Sequence, residues 1–281
     1  MNGDTPLKLL EMNKLAKYII DSHAHIFPQK IAEKATLNIG KFYDIVMDLD
    51  GSVEKLIAQA EKIGITKSVV HSVATVPQQV SHINDFIHSQ VELYPDKFIG
   101  FASLHPDMEG LSEEVERIIS MGFKGIKLHP DFQCFAIDEE RACRMYEAVD
   151  GRLPFLFHTG DYRYKYSNPD IMGRVADMFP ETKFIAAHFG GWSEWDKAAQ
   201  CLPGKKNVWV DCSSSFFQLT PERARELVYL FGVDRVFFGT DYPMWTAKGE
   251  LEFLSSMNLP EEDMEKILWK NINEFLGLGL S

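Results

Sequence analysis

Basic residues are the scarcer charge in this chain: 29 Lys and Arg stand against 41 Asp and Glu, a formal net charge of −12 over 281 residues. Nucleic-acid phosphates attract basic surfaces, so this balance argues against a nucleic-acid partner. No run of Lys or Arg marks a membrane-surface segment either. Long apolar runs are absent, and none approaches the roughly 20 residues that span a bilayer. The opening stretch, MNGDTPLKLLEMNKLAK, lacks the apolar centre and small-residue cleavage site of a signal peptide. Cysteine is sparse. Cys134, Cys143, Cys201 and Cys212 form no C-x-x-C pair, so the sequence indicates neither a disulfide framework nor a zinc–thiolate site. These absences point to a cytoplasmic protein with no nucleic-acid partner and no membrane partner.

Apolar residues make up 45% of the chain, enough for a sizeable core. Nothing resembling a Pro/Gly/Ser linker divides it, so residues 1–17 read as an N-terminal tail and 18–281 as a single domain. Short apolar runs recur at Tyr18–Ile20, Ser68–Val73, Phe98–Leu104, Gly125–Leu128, Pro154–Phe157, Phe184–Ala187, Val208–Val210 and Arg235–Phe238. Continuous apolar character suits parallel strands buried on both faces. Helical patterns lie between them. Ser112 and Asp138 read as N-caps, Asn168-Pro169 and Thr220-Pro221 as helix starts, and Gly122, Gly151 and Gly232 as stops. Eight strands alternating with helices predict an α/β fold, the (β/α)8 TIM barrel, with an insertion between strands 1 and 2. That insertion reads as helices over Gln29–Leu37 and Ser52–Ile63 with an aromatic loop at Phe42-Tyr43. A doubly wound open sheet competes, but the first turn, DSHAHIFP, is not glycine-rich.

In a barrel of this kind the chemistry sits at the C-terminal ends of the strands. Strand 1 ends in His23 and His25, which share one side of an extended segment because side chains alternate with period two. Later runs end in or near His71, His105, His129, His158, His188 and, after strand 8, Asp241. Only His82 and His88 of the nine histidines read as helix-surface residues. Neutral imidazoles gathered with a carboxylate form a site for zinc or a similar divalent ion.

H-x-H after strand 1, His after strands 5 and 6, and Asp after strand 8 resemble the amidohydrolase superfamily. The phrases DSHAHIFP, GIKLHPDFQ, LPFLFHTGD, FIAAHFGGW, VDCSSS and FFGTDYP resemble the branch that includes aminocarboxymuconate-semialdehyde decarboxylase. The resemblance runs from about Tyr18 to the last helix. It implies one divalent metal ion per chain, Zn2+ by expectation, held by His23, His25, His158 and Asp241. Imidazole and carboxylate ligands also suit manganese or iron. It implies Asp241 and His188 as the acid–base pair. Binuclear relatives carry a carbamylated lysine after strand 4; Lys127 stands near that place, and the branch implies instead an unmodified lysine lining the pocket. A homodimer is a further family-level expectation.

His129, Arg163 and Trp192 join Lys127 as candidate substrate-binding residues. Arg163 offers a guanidinium fork matched to a carboxylate. The leading expectation is a hydrolase that activates a water to cleave an amide, lactone or ester in a small, carboxylate-bearing substrate. The alternative is a nonoxidative decarboxylase. The lack of a pair of arginines in strand-end loops favours hydrolysis, both enzyme readings take a small-molecule substrate, and a non-catalytic metal-binding protein is the third reading.

Overall fold

The computed structural model describes residues 16–47 and 49–281, so residues 1–15 of the expected tail lie outside the described residues. Eight strands appear in chain order: β1 Ile20–His25, β2 Lys67–His71, β3 Phe98–Ser103, β4 Gly125–Leu128, β5 Phe155–Phe157, β6 Phe184–Ala186, β7 Val208–Asp211 and β8 Val236–Phe237. They follow one another in a single sheet in the order β1 to β8. Sequential strand order with a helical connection between neighbours is the topology of a (β/α)8 barrel. Each strand lies within a few residues of the apolar run that predicts it. Among the described residues no helix is long and apolar enough to cross a membrane.

The described residues fall into two compact units, residues 16–69 with 212–281, and residues 70–211. In the first, β1 lies beside the segment around β8. The Ser22 amide donates to the Phe238 carbonyl at 2.8 Å and the His25 amide to the Tyr242 carbonyl at 2.7 Å. The insertion after β1 forms helices Gln29–Tyr43 and Val53–Ile63. Phe42 and Tyr43 therefore end the first helix rather than forming a loop, and the turn comes only at Asp44, which takes a left-handed conformation. Helix Pro221–Phe231 starts as expected, with the Thr220 hydroxyl accepting from the Arg223 amide.

In the second unit β3 to β7 pair in parallel. Ser103 is opposite Lys127, Lys127 opposite Leu156, and Phe157 opposite Ala186. Tyr146 packs edge-on against Phe155, Phe157, Phe179 and Phe184, and its hydroxyl donates to the Ile137 carbonyl. Such edge-to-face contacts suit aromatic quadrupoles. Asn84 clamps the end of β3: its amide donates to the Ser103 carbonyl and to Glu114, and its oxygen accepts from the Ser103 amide. Two expected caps move. Helix Leu111–Ser120 begins after a left-handed Gly110, which places Ser112 inside its first turn. Helix Glu140–Val149 is preceded by Glu139, not by Asp138. In both cases the chain turns at a neighbouring residue, so the capping side chain lies out of register.

Candidate metal and acid–base centre

β1 carries polar residues inside an otherwise buried strand. Asp21 and His23 are fully buried and His25 is nearly so. Burying polar groups is costly without partners, and Asp21 supplies them. Its Oδ1 accepts from the amides of His23 and Thr240, and its Oδ2 from the Thr240 hydroxyl at 2.7 Å. This ties the end of β1 to the segment after β8. Gly239 permits the approach, since a Cβ there would stand 3.1 Å from both the His23 Cβ and the Ser22 Oγ.

The result is a convergence of three predicted ligands in the first unit. His23 Nε2 lies 3.3 Å and His25 Nε2 3.5 Å from the same Oδ1 of Asp241. The other face of the His23 ring meets Ser213, with Nδ1 and Oγ 3.2 Å apart. Asp241 takes a left-handed φ of 56°, and its amide donates to the His23 carbonyl. Left-handed backbone costs an L-residue about 1–2 kcal/mol, and such conformations cluster at functional sites. Two imidazole nitrogens and one carboxylate oxygen, all buried or nearly so, are a donor set that fits a divalent cation.

A second cluster forms within residues 70–211. His158 Nδ1 and His188 Nε2 are 3.0 Å apart. Both side chains are buried. His188 also has a positive φ, 62°, held from both sides: its amide donates to Asp211 Oδ1 and its carbonyl accepts from the Trp195 indole. The far nitrogen of His158, Nε2, faces Asp131 Oδ2 at 3.8 Å. Asp131, His158 and Asp161 bring one ligand atom each within 4.8 Å of one another. Burial pushes the Asp131 carboxyl up to about 7, against the opposing hydrogen bond from Ser167 at 2.6 Å. A carboxylate behind a ligating imidazole commonly fixes its tautomer.

The candidate substrate-binding residues also lie in this unit. Lys127 is buried in β4. The His129 ring stacks on His158 at 4.1 Å and on Phe132 at 3.8 Å. Its Nδ1 accepts from the Phe132 amide, so a neutral His129 carries its proton on Nε2. Trp192 is buried with its ring centroid 6.2 Å from that of His158. Arg163 directs its Nε and Nη2 to the two oxygens of Asp161, at 2.9 and 2.6 Å, and stands 5.5 Å over the Trp192 ring. The fork expected to meet a substrate carboxylate is thus engaged by Asp161, two residues earlier in the same loop.

His105, fully within this unit, accepts at Nδ1 from the Asp107 amide, and burial lowers its proton affinity. It therefore serves the turn after β3. Sequence reasoning gave no role to Asp21, Asp131 or Ser214, all buried. Asp21 alone of these carries a readable signal, a polar residue directly following an apolar run.

The Amidohydrolase family profile matches residues 20–278. A curated relative, gamma-resorcylate decarboxylase of Polaromonas sp. strain JS666, is 25% identical over 252 residues, covering 70% of this chain and 75% of the relative. The structure of 5-carboxyvanillate decarboxylase from Sphingomonas paucimobilis superposes with a TM-score of 0.72 at 15% identity, over 92% of this chain and 99% of that one. A dihydroxybenzoic acid decarboxylase from the Polaromonas strain, solved with bound manganese and the inhibitor 2-nitroresorcinol, gives 0.70 at 16% identity, over 94% and 98%. These relatives overturn the expectation of hydrolysis. The strand-end ligands are common to several chemistries on this barrel, and the count of loop arginines did not discriminate among them. The relatives also give no support to zinc, since the metal named in the similar barrel is manganese.

Proposed function

We propose that this chain, which belongs to the amidohydrolase family, is a metal-dependent nonoxidative decarboxylase that releases carbon dioxide from a small hydroxyaromatic acid. The observation that carries this reading is the chemistry named for its curated relative, decarboxylation of gamma-resorcylate. We assign His23, His25, His158 and Asp241 as the holders of one divalent ion, Mn2+ in preference to Zn2+. When bound, the ion supplies positive charge for the oxygens of an anionic substrate.

The chain's own residues divide the remaining work. Replacing the carboxylate by hydrogen requires a proton at the ring carbon that bears it. His188 holds that proton and delivers it to the carbon bearing the carboxylate, while Asp241, an anion whose Oδ2 accepts from Ser214, is the base of the pair: it takes the proton of the neighbouring hydroxyl and returns it to the product. The ring π electrons form the new C–H bond, with help from a neighbouring hydroxyl. The C–C bond then breaks, its electron pair restores the aromatic ring, and carbon dioxide departs. No oxidant enters. A positioned acid of this kind contributes roughly 10²–10⁴-fold.

His129, with its proton directed to Nε2, donates to a substrate oxygen. Trp192 offers the ring a flat wall, and Arg163, held by Asp161, keeps that wall in place. Lys127 lines the pocket unmodified.

The test is a panel of hydroxybenzoic acids, gamma-resorcylate first, given to the Mn2+-loaded protein with carbon dioxide release and ring absorbance followed together. Release from at least one acid is expected. No release from any of them, with turnover of lactones or esters instead, would overturn the proposal.

A further inference from the structure

Asp241 has two oxygens in different surroundings. Oδ1 faces the Nε2 atoms of His23 and His25, whereas Oδ2 accepts a 2.5 Å hydrogen bond from the Ser214 hydroxyl. Ser214 in turn accepts from the Trp245 indole, with Nε1 to Oγ at 2.7 Å. A serine hydroxyl has one proton and can accept as well as donate. Here the proton goes to the carboxylate and a lone pair takes the indole N–H, so the direction of the chain is fixed. The Met244 sulfur, 3.3 Å from Oγ, is a weak acceptor and does not compete with an anionic oxygen.

Several features mark this as a built arrangement. Ser214 is 1% exposed and its backbone is left-handed at φ 46°. It follows β7 by three residues, and Asp241 follows β8 by four. Trp245 comes from the loop that follows Asp241, and its ring stacks on Phe217 at 5.3 Å and 17°. The indole is therefore gripped by a ring contact on its face while its N–H reaches Ser214. Every atom of the chain belongs to the first unit.

We infer that Ser214 and Trp245 are positioning residues for Asp241: they hold Oδ2 so that Oδ1 is the oxygen presented to the metal. A carboxylate free to rotate would exchange its two oxygens and bridge less reproducibly between the imidazoles. With Oδ2 held, rotation requires breaking a charge-assisted hydrogen bond, which is among the stronger kinds. Neither residue touches the metal in this scheme. They act through Asp241, as outer partners of ligands commonly do, at 10–100-fold in metal affinity.

The inference rests on the metal role proposed above for Asp241, and calorimetric titration with Mn2+ separates the two without needing a substrate. Ser214→Ala removes both hydrogen bonds and is expected to weaken Mn2+ binding at least about tenfold. Ser214→Thr keeps the hydroxyl and is expected to restore most of the affinity. Trp245→Phe keeps a ring against Phe217 but loses the N–H, and is expected to fall between wild type and Ser214→Ala. Thermal unfolding of the metal-free proteins runs alongside; if Ser214→Ala does not fold, the Trp245→Phe comparison carries the test. Wild-type affinity in both Ser214→Ala and Trp245→Phe would overturn the positioning role while leaving the function standing. Equal impairment of Ser214→Thr and Ser214→Ala would overturn it as well, pointing to packing at this position. A wild-type chain that binds no Mn2+ would overturn both the positioning role and the function.

Discussion

His23 Nε2 stands 3.3 Å from Oδ1 of Asp241, joining the start of the barrel to its end. The contact depends on Asp21, which binds the amide and hydroxyl of Thr240 and the amide of His23. A strand whose polar residues are almost all buried thus carries the polar frame of the centre.

Removing a ligand from this frame is expected to abolish tight metal binding. His23→Ala or Asp241→Asn should weaken Mn2+ binding by more than about 100-fold, since outer partners alone account for 10–100-fold. Elemental analysis should find one equivalent per wild-type chain and no loss in Lys127→Ala. Two equivalents, with one lost in that variant, would show a carbamylated bridging lysine instead.

His188 is expected to separate chemistry from metal retention. His188→Asn should lower kcat by roughly 10²–10⁴-fold, with Mn2+ content near one. Its main-chain bonds to Asp211 and Trp195 do not involve the ring, so the local fold is expected to persist. Steady-state kinetics with elemental analysis on the same sample checks both halves. Undiminished kcat would remove His188 from the proton path.

Gly160 sits where the loops after β5 and β6 meet. Its φ is +79°, and a Cβ there would lie 2.5 Å from the Gly191 Cα. Both the backbone conformation and the clash with main chain oppose a side chain. Gly160→Ala is expected to cost about 3 kcal/mol, combining left-handed strain with overpacking. A urea titration compared with wild type measures it.

Asp50 gives a pH dependence away from the centre. Burial pushes its carboxyl up, but hydrogen bonds from Lys55 and from the Ser52 hydroxyl and amide outweigh this and bring it to about 2. A carboxylate depressed in the folded state contributes stability that is present above its ordinary range and is lost as pH falls towards the folded value. Asp50→Asn should therefore be less stable than wild type near neutrality by about 1 kcal/mol, discounted because the pair is partly exposed. The gap should close between about pH 4 and pH 2. Thermal melts across that range, at constant ionic strength, would show it.

Much of this fold is legible in the sequence because parallel strands buried on both faces leave continuous apolar runs. Gly125–Leu128 matches its strand at both ends, and β1 alone extends well past its run, because Asp21 and His23 are polar yet buried. The ligands are legible for the same reason: a His or Asp closing an apolar run stands out. The supporting groups are not. Ser214 and Asp131 look like ordinary loop residues until the chain brings Asp241 and His158 beside them. Arg163 illustrates the limit from the other side. Its composition suggested a carboxylate anchor, but Asp161 lies close enough to take the fork. The reaction was the least legible part, since the same ligands serve both bond hydrolysis and decarboxylation.

The most direct measurement follows both products of one turnover. Gamma-resorcylate labelled with 13C at the carboxyl would be incubated with the Mn2+-loaded protein in D2O and read by NMR. Decarboxylation with protonation at the vacated carbon predicts 13C-labelled carbon dioxide and bicarbonate, together with a ring product bearing one deuterium at that carbon. Label retained on the ring, here and with each other hydroxybenzoic acid, by a protein that holds its metal, would contradict the account.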